Sequence, residues 1–413
     1  MTAPQLGRLA APVVLLAALC APAQERSATR PAATPAGDIE AATLEKTVRF
    51  LASPDFEGRR AGTDKADDAG EWVKEQLQAL GCVPGNGDSW YHSFPLPGGA
   101  EGRNVIGVLR SGDDVDEYVL VGAHHDGQGR TGSAIRPSAE DNATGVAAML
   151  EIARWFATHR EGLRVNVVFA SFDGEELGLL GSRYFVGNQV IPTEKLRFVM
   201  VFDMLGCRFM PWQERRLYVM GGEHSKEVDA VVEKRKDGRG VAVRPIGTYV
   251  LEPLGAISAR SDYAAFRGKR VPYLFLSTAT PWYYHQVQDT PDRVDYGLVE
   301  ANARFARDVL RDLATAEGRP AFIDRPDARV RDAVTMLEGI DSYLEHAHEC
   351  EVGGAQLDEL RLRKKELEAL VEAGEVDRKG RRTIQNALVT SFKLVPSTRN
   401  WKPAKEPAEA GHR

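Results

Sequence analysis

RVNVVFASFDGEE, residues 164–176, is an apolar run that ends abruptly in a cluster of acids. Its β-branched and aromatic residues read as a short strand, and the near-continuous apolar character marks a strand covered on both faces. Three further runs have the same character: YVLVGA at 118–123, FVMVF at 198–202 and VPYLFLS at 271–277. Helical patterns alternate with them. Residues 66–80 form one, stopped by Gly81, and residues 146–159 another, with Met149, Leu150, Ala153 and Phe156 on one side. The predicted fold is α/β, a mostly parallel central sheet with helices on both faces.

The residues just beyond each strand are more informative than the strands themselves. The run 118–123 leads into His124-His125-Asp126, and 164–172 into Asp173-Gly174-Glu175-Glu176. The run 198–202 ends in Asp203, and 271–277 leads through a loop to His285. In open α/β sheets ligands bind beyond the carboxyl ends of the strands, so side chains far apart in sequence converge there. Asp141, just before the helix that begins near residue 142, is a fifth candidate. Imidazoles with carboxylates and no thiolate suit zinc or a neighbouring hydrolytic metal. Three carboxylates and two histidines suit two ions that share one carboxylate. Successive side chains diverge in direction, so of Glu175 and Glu176 one can face a metal while the other takes a proton from water. A bridging water between two zinc ions is acidified to near neutrality and needs no Ser or Cys nucleophile. Taken alone, Glu175-Glu176 also reads as a solvated helix start.

The remainder of the chain sets the context. With 413 residues, 43% hydrophobic and 27% charged, its proportions are globular, which excludes collagen-like, wholly disordered and disulfide-scaffold classes. The net charge of -6, with no basic block, argues against nucleic acid as a partner. Arg8, an apolar run over 9–19 and Ala21-Pro22-Ala23 have the form of a signal peptide, residues 1–23, which predicts a secreted or periplasmic protein. Lipid anchoring at Cys20 is the weaker alternative, because Leu19 stands where a lipobox has a small residue. No run reaches the ~20 apolar residues needed to span a bilayer, so stable membrane insertion is not expected. Residues 24–37 read as a linker, 38–318 as the body, 326–393 as a C-terminal helical segment and 394–413 as a disordered tail. Within that segment helices are expected over 330–347, 356–373 and about 383–392, docked on the body. Cys82, Cys207 and Cys350 form neither a disulfide framework nor a zinc pattern, which leaves one disulfide plus one thiol, or three buried thiols.

The order of these fragments resembles the M28 family of metallopeptidases, which are secreted co-catalytic zinc aminopeptidases. The similarity runs from Phe50-Leu51-Ala52-Ser53 and Glu57-Gly58-Arg59-Arg60-Ala61-Gly62-Thr63 to Tyr284-His285 and Asp289-Thr290. Between these lie His124-His125-Asp126, Asp141-Asn142-Ala143-Thr144-Gly145, Glu175-Glu176-Leu177-Gly178-Leu179-Leu180-Gly181-Ser182 and Asp203-Met204-Leu205-Gly206. The resemblance implies a zinc aminopeptidase-like fold and two Zn2+ per chain. It implies that Asp141 bridges the ions, that Glu176 and His285 complete one site, and that His124 and Asp203 complete the other. Asp126 would orient His124, Glu175 would be the general base, and Tyr284 would donate a hydrogen bond to the developing oxyanion. His125, where the family more often has an aromatic or apolar residue, and Glu140, in place of a common Asp, depart from its pattern.

The implied substrate is the N-terminus of a peptide or protein. A carboxypeptidase or dipeptidase on the same metals, and a single-zinc glutaminyl cyclase, are the alternatives. A scaffold that had lost catalysis would be expected to lack ligands. Gly127 to Gly132 matches G-x-G-x-x-G, but Pro137 separates it from the next helix, so a loop beside the site is the better reading than a dinucleotide site. His346, His348 and Cys350 are read as exposed helix residues rather than a second metal site, and the sequon at Asn142 lies inside the metal motif.

Overall fold

The computed structural model describes residues 37–401, with positions 113, 239, 259 and 351 excepted. The signal-peptide reading, nearly all of the 24–37 linker and the tail beyond residue 401 lie outside the described residues. In chain order the strands are β1 Val83–Pro84, β2 Tyr91–Pro95, β3 Glu101–Leu109, β4 Tyr118–His124, β5 Gly129–Thr131, β6 Ala134–Arg136, β7 Asn166–Phe172, β8 Leu196–Phe202, β9 Arg216–Met220, β10 Ala242–Ile246 and β11 Tyr273–Ser277. The helices are α1 Ala41–Leu51, α2 Asp64–Ala79, α3 Thr144–Thr158, α4 Leu180–Gly187, α5 Lys226–Arg235, α6 Tyr263–Arg267, α7 Tyr296–Thr315, α8 Val330–His346, α9 Gly354–Ala373 and α10 Arg378–Leu394.

The four strands legible in the sequence form the centre of the main sheet. They lie in the order β7-β4-β8-β11, and each pairs with its neighbour in parallel. Antiparallel pairings flank them: β3 on β7, with β1 and β2 on β3, and β9 on β11, with β10 parallel to β9 at the edge. The outer strands escape the apolar-run criterion because they carry Arg103, Arg216 and Arg244, which sit at or near the rim.

Period-two alternation distributes the central side chains between two cores. Val119, Val121, Val167, Phe169, Phe198, Met200, Leu274 and Leu276 pack with α1, α2, α3, α5 and α7 on one face. Leu120, Val168, Ala170, Val199, Val201, Tyr273 and Phe275 pack on the other, with α4, α6 and the C-terminal helices. That second core includes Ala333, Met336, Ile340, Leu360, Leu367, Ile384 and Ala387, so the C-terminal helices share the body's core rather than form one of their own, with α9 packed on α8 and α10.

The linking stretch is tied down as well. Ile323 N–H donates to the His224 carbonyl, and Asp332 accepts from Gly247 N–H and the Tyr249 hydroxyl. The expectation of disorder from residue 394 is corrected for residues 394–401. Leu394 and Val395 are buried, Val395–Asn400 is a 3-10 turn, and Trp401 Nε1 donates to Glu349 at 2.7 Å. Their apolar side chains find room against α8, which outweighs the Pro-rich composition. His346, expected to be exposed, is half-buried and stacks on Trp212 with ring centroids 5.0 Å apart. All three described cysteines are free thiols, Cys82 and Cys207 buried and Cys350 half-buried, so neither a disulfide nor a set of three buried thiols is present. Among the described residues, no helix is long and apolar enough to cross a membrane.

Candidate metal centre

The candidate residues converge at the carboxyl ends of the central strands. His124 closes β4, Glu175 and Glu176 occupy the turn after β7, Asp203 comes directly after β8, and His285 lies in the loop after β11. Asp141 sits in the irregular turn before α3, where its peptide bond to Asn142 is cis. Glu175 and Glu176 are therefore loop residues rather than a helix start, since α4 begins only at Leu180.

Two groups of ligand atoms form, His124 with Glu175 and Asp203, and Asp141 with Glu176 and His285; within each, all atoms lie within 4.8 Å of one another. Asp141 joins the groups. Its Oδ1 is 3.3 Å from His124 Nε2 and its Oδ2 is 3.1 Å from His285 Nε2. His124 Nε2 lies 3.6 Å from Asp203 Oδ1, and His285 Nε2 lies 3.1 Å from Glu176 Oε2. Glu175 falls on the His124 and Asp203 side.

The donor set fits a metal by a further criterion. His124 Nε2, His285 Nε2, Glu176 Oε1 and Asp203 Oδ1 are buried atoms without a hydrogen-bond partner in the protein. Such atoms are costly unless something else coordinates them. Electrostatics points the same way. Burial alone would lower the His285 pKa, but the Asp141 and Glu176 carboxylates overcome it and push the imidazole up to about 10. At His124 burial is likewise overcome, by Glu175, Asp126, Asp141 and Asp203, and the pKa stands well above the usual value. Burial, together with the Asp141 charge, pushes Glu176 up to about 7. Burial, with Asp203, Asp262 and Glu176, raises Glu175 well above the carboxylate range.

The supporting contacts explain why these side chains meet. His124 Nδ1 faces Asp126, 3.2 Å from its carbonyl oxygen and 3.4 Å from its carboxylate. The same carboxylate accepts the backbone N–H of Glu175 at 3.1 Å and of Glu176 at 3.2 Å, so Asp126 positions an imidazole and both acids. Tyr284 stacks on the His285 ring with centroids 3.6 Å apart, and burial raises its pKa, which keeps the phenol a donor. His125 points away from the centre. It is buried beside Ser171 Oγ at 3.0 Å and burial holds its pKa down to about 4. Glu140 accepts the Gly206 N–H at 2.6 Å, bracing the turn after Asp203.

Four contributors had weak or ambiguous sequence signals. Asp289 accepts the backbone N–H of Glu140 at 2.8 Å and of Asp141 at 3.1 Å, fixing the shared carboxylate. Arg59, fully buried, donates to the carbonyls of Leu51, His125, Pro137 and Ser138. Asp262, directly before α6, makes no side-chain cap hydrogen bond to that helix. Both Asp262 carboxylate oxygens are buried and unpartnered, and burial pushes its pKa up to about 7. The G-x-G-x-x-G loop is the β5-β6 hairpin, and Gln128 Nε2 donates to Glu176.

A parallel-centred α/β sheet with candidate imidazole and carboxylate ligands at its carboxyl edge has the form of a metallohydrolase site. The family model for peptidase family M28 matches residues 104–310, and the chain belongs to that family. Among curated relatives, a probable zinc metalloprotease of Pyrenophora teres f. teres is 36% identical over 183 residues, covering 40% of this chain and 38% of the relative. Leucine aminopeptidase 2 of Trichophyton rubrum is 28% identical over 218 residues, covering 50% of this chain and 39% of the relative. The chain thus spans well under half the length of these relatives. Similar solved structures include the Legionella pneumophila LapA aminopeptidase, with TM-score 0.55 and 20% identity over 67% of this chain and 73% of that one. Porphyromonas gingivalis glutaminyl cyclase gives TM-score 0.54 and 18% identity over 67% of this chain and 99% of that one. At such identities the likeness concerns the fold.

Proposed function

We propose that this chain is an exported di-zinc aminopeptidase that hydrolyses the first peptide bond of peptides or proteins. The observation that carries the reading is Asp141, whose two oxygens face imidazoles belonging to two different ligand groups. That is the arrangement two ions sharing one carboxylate require. His124 and Asp203 would hold one, Glu176 and His285 the other. Zinc bound there supplies acidification of water and polarisation of the scissile carbonyl.

The chain's own groups do the rest. Glu175, with its raised affinity for protons, takes the proton of the attacking water and passes it to the leaving amine. The Tyr284 hydroxyl donates to the developing oxyanion. Asp126 holds His124 and the Glu175-Glu176 backbone in register, as carboxylates behind metal ligands do. Export rests on the pattern of residues 1–23 alone.

The test uses purified protein with added zinc and a panel of aminoacyl anilides, each with a free or an acetylated N-terminus. These substrates have no C-terminal carboxylate, so their cleavage also separates this reading from a carboxypeptidase. Cleavage of free forms only, abolished by a chelator and restored by Zn2+, is the expected result. Equal cleavage of acetylated forms defeats the proposal. Release of ammonia from N-terminal Gln without anilide cleavage would transfer the site to cyclase chemistry, the activity named for one similar structure.

A further inference from the structure

Beside the candidate centre lies a largely apolar pocket of about 90 Å³. At about 10–15 Å³ per water molecule, it holds the space of a medium to large side chain. Asp203 and Tyr284 line it on the side of the centre. Another part of its wall comes from the C-terminal helices, through Met336 and Gly339 of α8 and Leu388 and Phe392 of α10. These four residues lie outside the residues 104–310 matched by the family.

The helices are held in place there. Arg381 of α10 pairs with Glu252 at 2.9 Å and lies over the Tyr249 ring, and Gln385 Nε2 donates to the Tyr249 carbonyl at 2.9 Å. Phe392 packs on Phe209 with ring centroids 5.4 Å apart. On its other contact the Arg260 guanidinium lies 5.2 Å from the Phe392 ring centroid. Among the described residues, Asp203 and Arg260 are the charged ones lining the pocket, and Asp203 belongs to the candidate centre.

We infer that α8 and α10 set which N-terminal side chain is accepted, selecting an uncharged apolar one of about leucine to phenylalanine size. This rests on the aminopeptidase reading and names its substrate class. An apolar side chain gains by leaving water for such walls, while a lysine or arginine side chain would be desolvated beside Arg260.

Gly339 offers a clean test. A Cβ at this helical position meets nothing within 4 Å, so a larger side chain enters open space without strain. In Gly339→Leu the ratio of kcat/KM for leucine anilide to that for alanine anilide should fall about tenfold or more, the scale set by one or two methylenes in an apolar pocket. Phe392→Ala should shift preference the opposite way, toward phenylalanine over leucine. Unchanged ratios in both variants, or a wild-type preference for arginine or glutamate anilides, would overturn the inference. If wild-type protein with zinc cleaves no free-amine anilide, the aminopeptidase reading fails separately. Calorimetric titration with L-leucine and L-alanine then decides the pocket: weaker leucine binding in Gly339→Leu supports it, and equal binding refutes it.

Discussion

At the scale of single residues, the adjacent acids offer the sharpest distinction. Glu175 and Glu176 share one backbone support from Asp126, yet their side chains fall in different ligand groups. Glu175→Gln is predicted to retain about two zinc ions per chain while turnover falls about 10²–10⁴-fold, the usual loss on removing a general base. Glu176→Ala should lose metal, and elemental analysis beside steady-state kinetics reads both outcomes. Equal metal loss in the two variants would reverse the assignment. Some of the chain's unusual backbone conformations fall at the candidate centre. His285 has φ 58° and Met204, next to Asp203, has φ 61°, both left-handed for non-glycine residues. Such conformations cost about 1–3 kcal/mol each and persist where surrounding contacts over-determine them.

At the scale of elements, loops rather than strands need explaining, because every candidate ligand sits at a strand end or beyond it. Arg59 illustrates the solution. Its guanidinium spans the C-terminal end of α1, the stretch after β4 and the turn before α3 by donating to four carbonyls. Burial lowers its pKa to about 10, opposed by Asp289, Asp126, Asp141 and Glu176, so the cation remains and offsets an acidic centre. Arg59→Met leaves those carbonyls without their donor and is predicted to cost about 3–5 kcal/mol, as breaking a buried charged network does. Arg59→Lys should recover only part, since an ammonium cannot reproduce the guanidinium fork. Urea unfolding of both variants measures the loss; a change below about 1 kcal/mol in Arg59→Met would show that the clamp is dispensable.

At the scale of the whole molecule, the C-terminal helices decide how the protein must be handled. All the candidate ligands lie between His124 and His285, so a chain ending at Asp324 keeps every one of them. It would, however, uncover Met220, Ile246, Tyr249 and Phe275 by removing Met336, Ile340, Ile384 and Ala387. Each large apolar side chain stripped of cover costs about 1.5–3 kcal/mol, and several together approach the about 5–15 kcal/mol net stability of a domain. The truncated chain is predicted to be poorly soluble or to unfold at markedly lower urea, while any folded fraction still binds zinc. A soluble truncation with an unchanged midpoint would show that the helices are an independent unit. A folded but metal-free one would move the site.

The sequence by itself determined the central sheet and singled out the candidate residues that converge beyond it. Both leave local signatures: buried parallel strands are continuous apolar runs, and His124, Asp141, Glu175, Glu176, Asp203 and His285 stand at a strand end, before a helix or in the loop that follows a strand. The tertiary structure alone decided what the centre leans on and what surrounds it. Asp262 has no local signature, and Arg59 and Asp289 stand in family-like fragments that do not say what they hold; their partners appear only when loops from distant segments bury them. The same holds for the C-terminal helices. Amphipathic periodicity identifies a helix and its apolar stripe, but which surface that stripe covers depends on the exposed face of the rest of the fold. Here that face lies beside the candidate centre, so α8 and α10 become part of a pocket next to residues far earlier in the chain.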